Sequence, residues 1–213
     1  LIVAFLLAIQ PDIGQTILIF LSWSILIFTS GISILFLGIF FIILIFIFSY
    51  LIFFIPKFEY IKSRIFSFLD PSSGNSYQSE KASEAIIGGG FFGKGVGEGT
   101  LNNRIPEAHT DYIVSVISEE FGIMIVIAII LIFIFFAFQV IKKISIEQDN
   151  KIKLILMGLI SLLILQTFVH VGVNIRILPT TGMTLPFLSY GGSSIISNSI
   201  LAGIILNLTR RKV

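Results

Sequence analysis

The sequence contains no cysteine, little charge and little histidine. Its 213 residues include no Cys, two His and one Trp, and 12% are charged, about half of the ~25% usual in soluble domains. The absence of cysteine excludes disulfides, thiol nucleophiles and cysteine-based metal sites. Two histidines leave little for a histidine-rich metal site, and a net charge of +2 gives no indication of nucleic-acid binding.

Apolar residues are abundant instead, at 55% of the sequence. They occur in runs, several of which approach the ~20 residues that a helix needs to cross a bilayer. The runs lie at about 1–9, 13–28, 32–55, 112–140, 152–175 and 191–208. We predict an all-α, polytopic transmembrane helix bundle with about four full spans plus the end of one more. The first run is short and lacks the flanks of a signal peptide, so we expect 1–213 to be one integral membrane domain, a fragment beginning inside a helix.

Basic residues orient the predicted spans. A short loop at 141–151 is crowded with lysines, and Arg210–Lys212 lie near the end of the sequence. Two predicted spans separate these clusters, so both are expected on the cytoplasmic face. The large polar loop at 56–111 then lies outside, together with 10–14 and 176–190. We therefore expect three polar, Pro- or Gly-marked segments to converge on one external surface.

A glycine-rich stretch, Gly88–Gly99, lies within the external loop. It fits the spacing of a nucleotide-binding P-loop except that Gly95 occupies the Ser/Thr position, and no strand is evident before it. A loop that lets backbone approach a membrane or a ligand explains the glycines better. Phe91 and Phe92 are then candidates for the membrane interface. Lys94 is either a solvated charge or a contact for a phosphate.

Three titratable side chains follow within five residues, at the end of the external loop. Glu107, His109 and Asp111 share a face in an extended segment, and Glu107 and Asp111 share one in a helix. Taken alone, this spacing favours an ordinary helix N-terminus with Asp111 as its cap. A carboxylate beside a histidine at a membrane surface also suits proton transfer on a lipid-anchored substrate.

The helix predicted after Asp111 carries further acidic residues. Glu119 and Glu120 lie about two turns inside the predicted span, where ionisable groups are costly and function is the default hypothesis. The alternative is a buried ion pair, with Arg176 as the candidate partner. Polar residues at helical spacing line this helix: Asp111, Ser115, Ser118, Glu119 and Gly122.

Two later segments are also polar. Thr167, His170 and Asn174 share one stripe, for which we favour hydrogen bonding between helices over a ligand site. The Pro- and Gly-containing segment 176–190 is expected to be a structured, re-entrant loop, because such backbone is tolerated only inside protein or beside a water-filled cavity. The serines that follow, at 193–199, indicate helix packing.

Several segments together resemble one known family. They are Gln10–Gly14, Tyr77-Gln78, the glycine run to Gly99, Pro106–Asp111, Glu119–Gly122, and Leu178–Thr180 with Leu185–Ser194. In this order they resemble the SEDS family (shape, elongation, division, sporulation) of bacterial membrane glycosyltransferases, and they cover nearly the whole sequence. The resemblance implies that the sequence is the C-terminal half of a longer helix bundle. Ala108 and Thr184 favour the division branch over the elongation branch, whereas Thr181 and Arg176 depart from the usual pattern.

The resemblance implies polymerisation of lipid II into peptidoglycan glycan strands by inverting glycosyl transfer, with a polyprenyl pyrophosphate leaving group. The family's essential aspartate falls on Asp111, which we predict to be the general base, a role worth about 10²–10⁴-fold. Predicted supporting or substrate-binding residues are Glu107, His109, Lys94, Lys81, Arg104, Glu119, Glu120, Ser189, Gly191 and Gly192. Arg176 is a further external cation. We predict no metal ligand, while Mg²⁺ or Mn²⁺ held by acidic residues is an alternative source of positive charge.

The implied partners are a class B penicillin-binding protein transpeptidase and other division proteins, in addition to the membrane and the lipid II substrate. The implied location is the bacterial inner membrane at the division septum. Two alternatives stay open. The protein could instead be a lipid II transporter, which intramembrane acids and broken helices would suit, or a non-catalytic division scaffold.

Overall fold

The structure is a computed structural model that describes residues 7, 10, 12–54, 58–69, 77–101 and 107–210. Eight helices occur there: α1 (Ile13–Thr29), α2 (Ile34–Phe54), α3 (Glu59–Leu69), α4 (Tyr77–Gly89), α5 (Ile113–Phe121), α6 (Ile123–Ile146), α7 (Asn150–Asn174) and α8 (Gly192–Arg210). Across the described ranges the regular structure is helical and no strand is present. The all-α prediction is confirmed.

Three helices, α6, α7 and α8, are long and apolar enough to cross a membrane. Shorter apolar helical stretches lie at Gly14–Thr29 and Ile34–Ile47. Side-chain caps define where two of these helices begin. Asp12 Oδ1 accepts from Gln15 N at 3.0 Å, and Asp149 Oδ1 accepts from Lys151 N at 2.8 Å. The protein is therefore a multi-pass membrane protein built from apolar helices.

Helix α7 forms the centre of the bundle. It packs against α1, α4, α5, α6 and α8, and Leu156 and Leu163 are each only 1% exposed. Helix α2 contrasts with it, since its main contacts are with α1 and α3 and Ile34 and Phe46 are more than 70% exposed. An apolar helix whose side chains are exposed on several sides indicates a lipid-facing surface.

The apolar stretch predicted as one helix over 112–140 is two helices in the structure. The break is at Gly122, whose φ is +85°, a left-handed conformation that glycine adopts without strain. A Cβ there would lie 2.2 Å from the Phe91 carbonyl, so another segment occupies the side-chain position. Helix α6 then continues to Ile146, which shortens the loop predicted at 141–151.

The external loop predicted at 56–111 contains two helices, α3 and α4. Helix α4 packs mainly on α5, and α3 packs on α2. The polar loop is therefore folded onto the membrane helices, and it brings α3 and the glycine-rich stretch beside the ends of α1 and α5.

Candidate functional site

The loop between α7 and α8, at 175–191, is where the segments predicted to be external meet. A Cβ at Gly14 would lie 2.8 Å from Met183 Cγ, so the start of α1 packs directly on this loop. From α3, Arg64 Nη1 donates to the Thr180 carbonyl at 3.2 Å. Both contacts join segments that are far apart in the sequence. They bear out the expected convergence for the described part of each segment.

Ser189 ties this loop to the turn before α5. Its hydroxyl donates to the Thr110 carbonyl at 2.7 Å and accepts from Leu185 N at 2.8 Å. Tyr190 N donates to the His109 carbonyl at 3.0 Å. The bonds to Thr110 and His109 fix the backbone immediately before Asp111. Ser189 is buried and both its hydrogen-bonding functions are used, so its contact with the site is through the backbone.

Asn174, at the end of α7, holds Asp111 and the first turn of α5 together. Its Oδ1 accepts from Ser115 N at 3.1 Å and Ser115 Oγ at 2.8 Å. Its Nδ2 donates to the Asp111 carbonyl at 3.0 Å and the His170 carbonyl at 2.9 Å. Asn174 thus caps α5 from another helix. The N-cap residue itself, Tyr112, makes no side-chain capping bond, and the prediction that Asp111 is the cap is wrong.

The stripe containing Asn174 is a hydrogen-bonding surface, as the sequence favoured. The Met183 carbonyl accepts from His170 Nδ1 at 2.7 Å, which joins α7 to the loop. Thr167 differs from this prediction, because its hydroxyl donates to Leu163 of its own helix at 2.9 Å. The link between elements is therefore made by His170 and Asn174.

The Asp111 carboxylate lies beside Gly182, where an added Cβ would be 3.7 Å from Oδ2. Burial, the largest cause, and the nearby charge of Glu107 raise the pKa of Asp111, while the positive charge of Arg64 lowers it. The net shift is upward. Burial also raises the pKa of the neighbouring Tyr112 to about 12, which leaves its hydroxyl protonated at neutral pH.

Glu107 and His109 are exposed and support Asp111 through the backbone. Glu107 has a φ of +62°, uncommon for a residue with a side chain. Its carbonyl accepts from Thr110 N at 3.0 Å and Asp111 N at 3.1 Å. The tight turn this creates presents the Asp111 side chain. Arg104, also predicted for the site, lies outside the described residues.

Glu119 lies in a different environment at the other end of α5. It is 1% exposed and accepts from Lys94 Nζ at 2.8 Å, Thr100 N and Oγ1 at 3.0 Å each, and Leu101 N at 3.0 Å. Burial raises the pKa of Glu119, but these bonds outweigh burial and lower it to about 2. The buried ion pair exists with Lys94, not with the predicted partner Arg176.

The glycine-rich loop explains why Lys94 reaches Glu119. Lys94 N donates to the Glu119 carbonyl at 2.8 Å, and Gly95 N donates to the Glu120 carbonyl at 3.1 Å. A Cβ at Gly93 would lie 2.1 Å from the Glu120 carbonyl, so only glycine permits this approach. The backbone that the loop approaches is α5 itself. The structure does not favour a nucleotide-binding P-loop, because the Lys94 ammonium is bound to Glu119.

The remaining predicted residues lie around these two clusters. Lys81 forms an ion pair with Glu84 in a polar recess of about 150 Å³ that Lys94 and Glu119 also line. Glu120 is half-buried near Gly99. Gly191 and Gly192 lead into α8. The six residue steps from Ile113 to Glu119 correspond to about 9 Å of helix, so the predicted site residues form two clusters.

Sequence reasoning missed Arg64 and the cavity beside it. The cavity measures about 350 Å³, and its walls are almost entirely apolar. It is lined by α1, α2 and α3 and by the loop at Pro179–Thr181. Tyr60, Ile61, Arg64 and Ile65 of α3 line it, and their helical spacing is the signal that could have identified the cavity-facing side of α3. Among the described residues, no group of three or more His, Asp or Glu side chains could hold a metal ion.

Comparison with known proteins identifies relatives along the whole chain. The FtsW/RodA/SpoVE family model, described as cell cycle protein, matches residues 1–213. A probable peptidoglycan glycosyltransferase FtsW from Caulobacter vibrioides is 35% identical over 207 residues, 97% of this chain and 52% of that protein. The peptidoglycan glycosyltransferase RodA of Mycobacterium tuberculosis is 34% identical over 155 residues, 71% of this chain and 33% of that protein.

A probable FtsW from Francisella salina is also 35% identical and covers 97% of this chain and 52% of its own length. One solved structure is also similar, and it is described as "Structural coordination of polymerization and crosslinking by a peptidoglycan synthase complex". Its matching chain has a TM-score of 0.79 and 26% sequence identity to this chain. The match covers 98% of this chain and 58% of that one. The chain spans about half the length of the Caulobacter and Francisella relatives. With matches of this extent, the chain belongs to the FtsW/RodA/SpoVE family and is most like its FtsW members.

Proposed function

We propose that this chain carries the catalytic base, Asp111, of a peptidoglycan glycosyltransferase that polymerises lipid II during cell division. The observation that supports this most directly is how Asp111 is held. Its backbone is fixed by Asn174, while capping of α5 is done by Asn174 and does not use the Asp111 carboxylate. Apart from a hydrogen bond with the Thr110 side chain, the carboxylate is not used by these contacts, so the fold holds it in place for chemistry.

The reaction we propose joins a sugar hydroxyl to the anomeric carbon of a second, lipid-linked sugar. The hydroxyl oxygen attacks the carbon, the bond to the diphosphate breaks on the opposite face, and the hydroxyl proton passes to Asp111. A base works best when its pKa is close to the working pH, and the upward shift of the Asp111 pKa moves it in that direction. Glu107 assists through its negative charge, and His109 through its backbone.

The surroundings of Asp111 suit a substrate that is half sugar and half lipid. The carboxylate is near Gly182 of the loop, and Pro179–Thr181 of the same loop line the apolar cavity. A polyprenyl chain needs an apolar surface of this kind, while its sugars need the polar, external side. This juxtaposition supports lipid II as the substrate.

We propose a class B penicillin-binding protein transpeptidase and other division proteins as partners. The similar solved chain comes from a peptidoglycan synthase complex, and the relatives that match nearly the whole chain are named FtsW. We propose the bacterial inner membrane at the division septum as the location. The basic loop and chain end would then face the cytoplasm.

The transporter alternative depended on Glu119, Glu120 and His170 as intramembrane ionisable residues, and on broken helices, of which the break at Gly122 is one. Glu119 lies outside the helices identified as candidate spans, and its four hydrogen bonds and low pKa make it unsuitable as a proton carrier. The scaffold alternative requires no chemistry at Asp111. Polymerisation therefore accounts for more of the site than either alternative.

The experiment is lipid II polymerisation by the full-length protein with Asp111 replaced. We expect Asp111→Asn to lower the rate by about 10²–10⁴-fold, because an amide cannot accept the proton. Asp111→Glu, which keeps the base but displaces it, should retain more activity than Asn. Glycan strands separated by length on a gel give the measurement.

Glu98→Gln is the matched control, since it removes an exposed carboxylate on the same side of the membrane. It should polymerise at the wild-type rate, and Asp111→Asn should show unchanged thermal stability. Near-normal polymerisation by a folded Asp111→Asn protein would exclude Asp111 as the base. Measuring transbilayer movement of lipid II in the same vesicles separates loss of polymerisation from loss of transport.

A further inference from the structure

Two phenylalanines in the turn after α4 point away from the core. Phe91 is 69% exposed and Phe92 is 88% exposed. They lie between Gly90 and Gly93, and we call these four residues the Phe tip. No charged residue occurs from Ala85 to Gly93, so the Phe tip ends an uncharged stretch of sequence. Exposed apolar groups that gather in one place mark a surface that a membrane or another molecule covers.

Hydrogen bonds and glycine conformations hold the Phe tip in a defined turn. Gly93 N donates to the Gly89 carbonyl at 2.8 Å. Gly90 has a φ of +57° and Gly93 has one of +79°, which glycine adopts without strain. Immediately after the turn, Lys94 N donates to the Glu119 carbonyl at 2.8 Å. The fold therefore presents both rings on a turn that is attached to α5.

The Phe tip adjoins the start of a helix that is apolar enough to span the membrane. The N–H of Ile123, the first residue of α6, donates to the Gly90 carbonyl at 3.0 Å. The Phe91 carbonyl lies 2.2 Å from where a Cβ of Gly122 would be. Helix α6 is a candidate membrane span, and Met124 in its first turn is 54% exposed. These backbone contacts place the Phe tip at the end of the apolar helix, where the hydrocarbon of a bilayer would begin.

Apolar side chains surround the junction between the Phe tip and α6. Ile87, in the last turn of α4, is 77% exposed, and Phe121, at the end of α5, is 44% exposed. Only 11% of the apolar part of α6 is buried, so most of that helix is left for lipid. Lipid is favoured over a protein partner as the occupant, because the exposed side chains continue a surface that lipid already covers.

The chain becomes polar directly after the Phe tip. Lys94 follows Gly93, and its ammonium donates to Glu119 Oε1 at 2.8 Å. Glu98 is exposed in the same loop, and its N–H donates to the Gly95 carbonyl at 3.2 Å. Because a carboxylate is costly in hydrocarbon, Glu98 marks the side of the loop that stays in water. The loop therefore has an apolar edge and a charged edge, the pattern of a segment that lies in a membrane interface.

We propose that the Phe tip inserts into the bilayer interface beside the first turn of α6, with both rings among the headgroups and upper acyl chains and Glu98 in water. The occupant of this surface is the lipid of the membrane that α6 spans, and the inference does not depend on the proposed function. Because Lys94 N joins the Phe tip to α5, the bilayer then sets the height of α5 above the hydrocarbon. Asp111, just before α5, is held at a matching height.

Spin labelling of the full-length protein tests the insertion. The 213 residues contain no cysteine, so Phe92→Cys adds one labelling position once any cysteine elsewhere in the full-length protein is replaced by serine. The nitroxide is measured in vesicles of phosphatidylethanolamine and phosphatidylglycerol, with oxygen, which concentrates in lipid, and with a water-soluble nickel chelate. Glu98→Cys is the matched control, since both positions are exposed. The ratio of oxygen to nickel collisions should be several-fold higher at 92 than at 98.

Equal nickel access at 92 and 98 would overturn the proposal. A label at 92 that is shielded from both reagents would also overturn it, because protein and not lipid would then cover the Phe tip. A second measurement is hydrogen exchange of the Lys94 and Gly95 amides, which donate to the Glu119 and Glu120 carbonyls. Phe92→Asp should speed this exchange in vesicles, whereas Phe92→Leu should not. Phe92 is 88% exposed, so lost protein contacts do not explain such an effect, and unchanged exchange in Phe92→Asp would contradict anchoring by the Phe tip.

Discussion

A carboxylate lies near each end of α5, and the two differ in burial and in hydrogen bonding. Glu119 is buried and saturated, with hydrogen bonds from a lysine, a hydroxyl and two backbone N–H groups. Asp111 is half-buried, its backbone is held by Asn174, and the predicted capping role of its side chain is filled by that asparagine. Glu119 has the lowered pKa, and Asp111 has the raised one.

The contacts of Glu119 stabilise the fold, whereas the fold determines the position of the Asp111 side chain. A saturated carboxylate gains stability from ionisation, whereas a carboxylate with a raised pKa loses some. Both residues lie in motifs that resemble the same family, so the motif alone does not distinguish them. The contacts do, and the comparison can be tested from both sides.

The largest effect on stability is expected from Glu119→Gln. It removes a buried, charged acceptor of four hydrogen bonds, which costs about 3 kcal/mol. The Glu119 pKa is lowered from 4.5 to about 2, so its contribution is fully present above pH 4.5 and is lost as the pH falls toward about 2. Thermal unfolding of the wild type should show this loss, and Glu119→Gln should show a smaller one.

Asp111→Asn is the counterpart in this test. Because the Asp111 pKa is raised from 3.8, stability falls as the pH rises from that unfolded value through the raised folded value, and the loss is complete above it. Replacement of Asp111 should leave the melting temperature at pH 7 unchanged or slightly higher. A large loss of stability in Asp111→Asn, or none in Glu119→Gln, would reverse the roles assigned to the two ends.

A smaller effect is expected where the glycine-rich loop meets α5. Gly93 and Gly97 both have a φ of +79°, but a Cβ at Gly93 would lie 2.1 Å from the Glu120 carbonyl and one at Gly97 would meet nothing within 4 Å. Gly93→Ala should therefore cost about 2 kcal/mol more than Gly97→Ala, which carries the backbone strain alone. Thermal unfolding of the two variants tests the close approach of Gly93 to the Glu120 carbonyl. Equal losses of stability in the two variants would contradict it.

The smallest effect is a gain of stability. Arg176, which the sequence suggested as the partner of Glu119, has a φ of +58° and makes no ion pair among the described residues. Arg176→Gly should relieve the left-handed strain and stabilise the protein by about 1 kcal/mol. A lower melting temperature would mean that the Arg176 side chain has a structural role.

The sequence predicted the helical class and the convergence of the three polar segments because both depend on strong, long signals. Apolar runs near span length admit few other structures, and Pro and Gly mark where they end. The break at Gly122 was not predicted, since the apolar run continues through it and only Phe91, from another segment, requires glycine there.

The site was predicted less completely than the fold. Asp111 was selected by resemblance, whereas spacing favoured a cap, and only the position of Asn174 on α7 shows that the cap comes from elsewhere. The partner of Glu119 depends on how the glycine-rich loop folds back, which no local pattern encodes. Arg64 was not predicted because its position is defined by its hydrogen bond to Thr180, which lies 116 residues away in the sequence.

Asn174 gives the bundle a mechanical property. One side-chain amide connects the C-terminal end of α7 to the Asp111 carbonyl and the Ser115 hydroxyl. A tilt or axial shift of this central helix would therefore move the proposed base with it. A force that acts on α7 would thus be transmitted to Asp111.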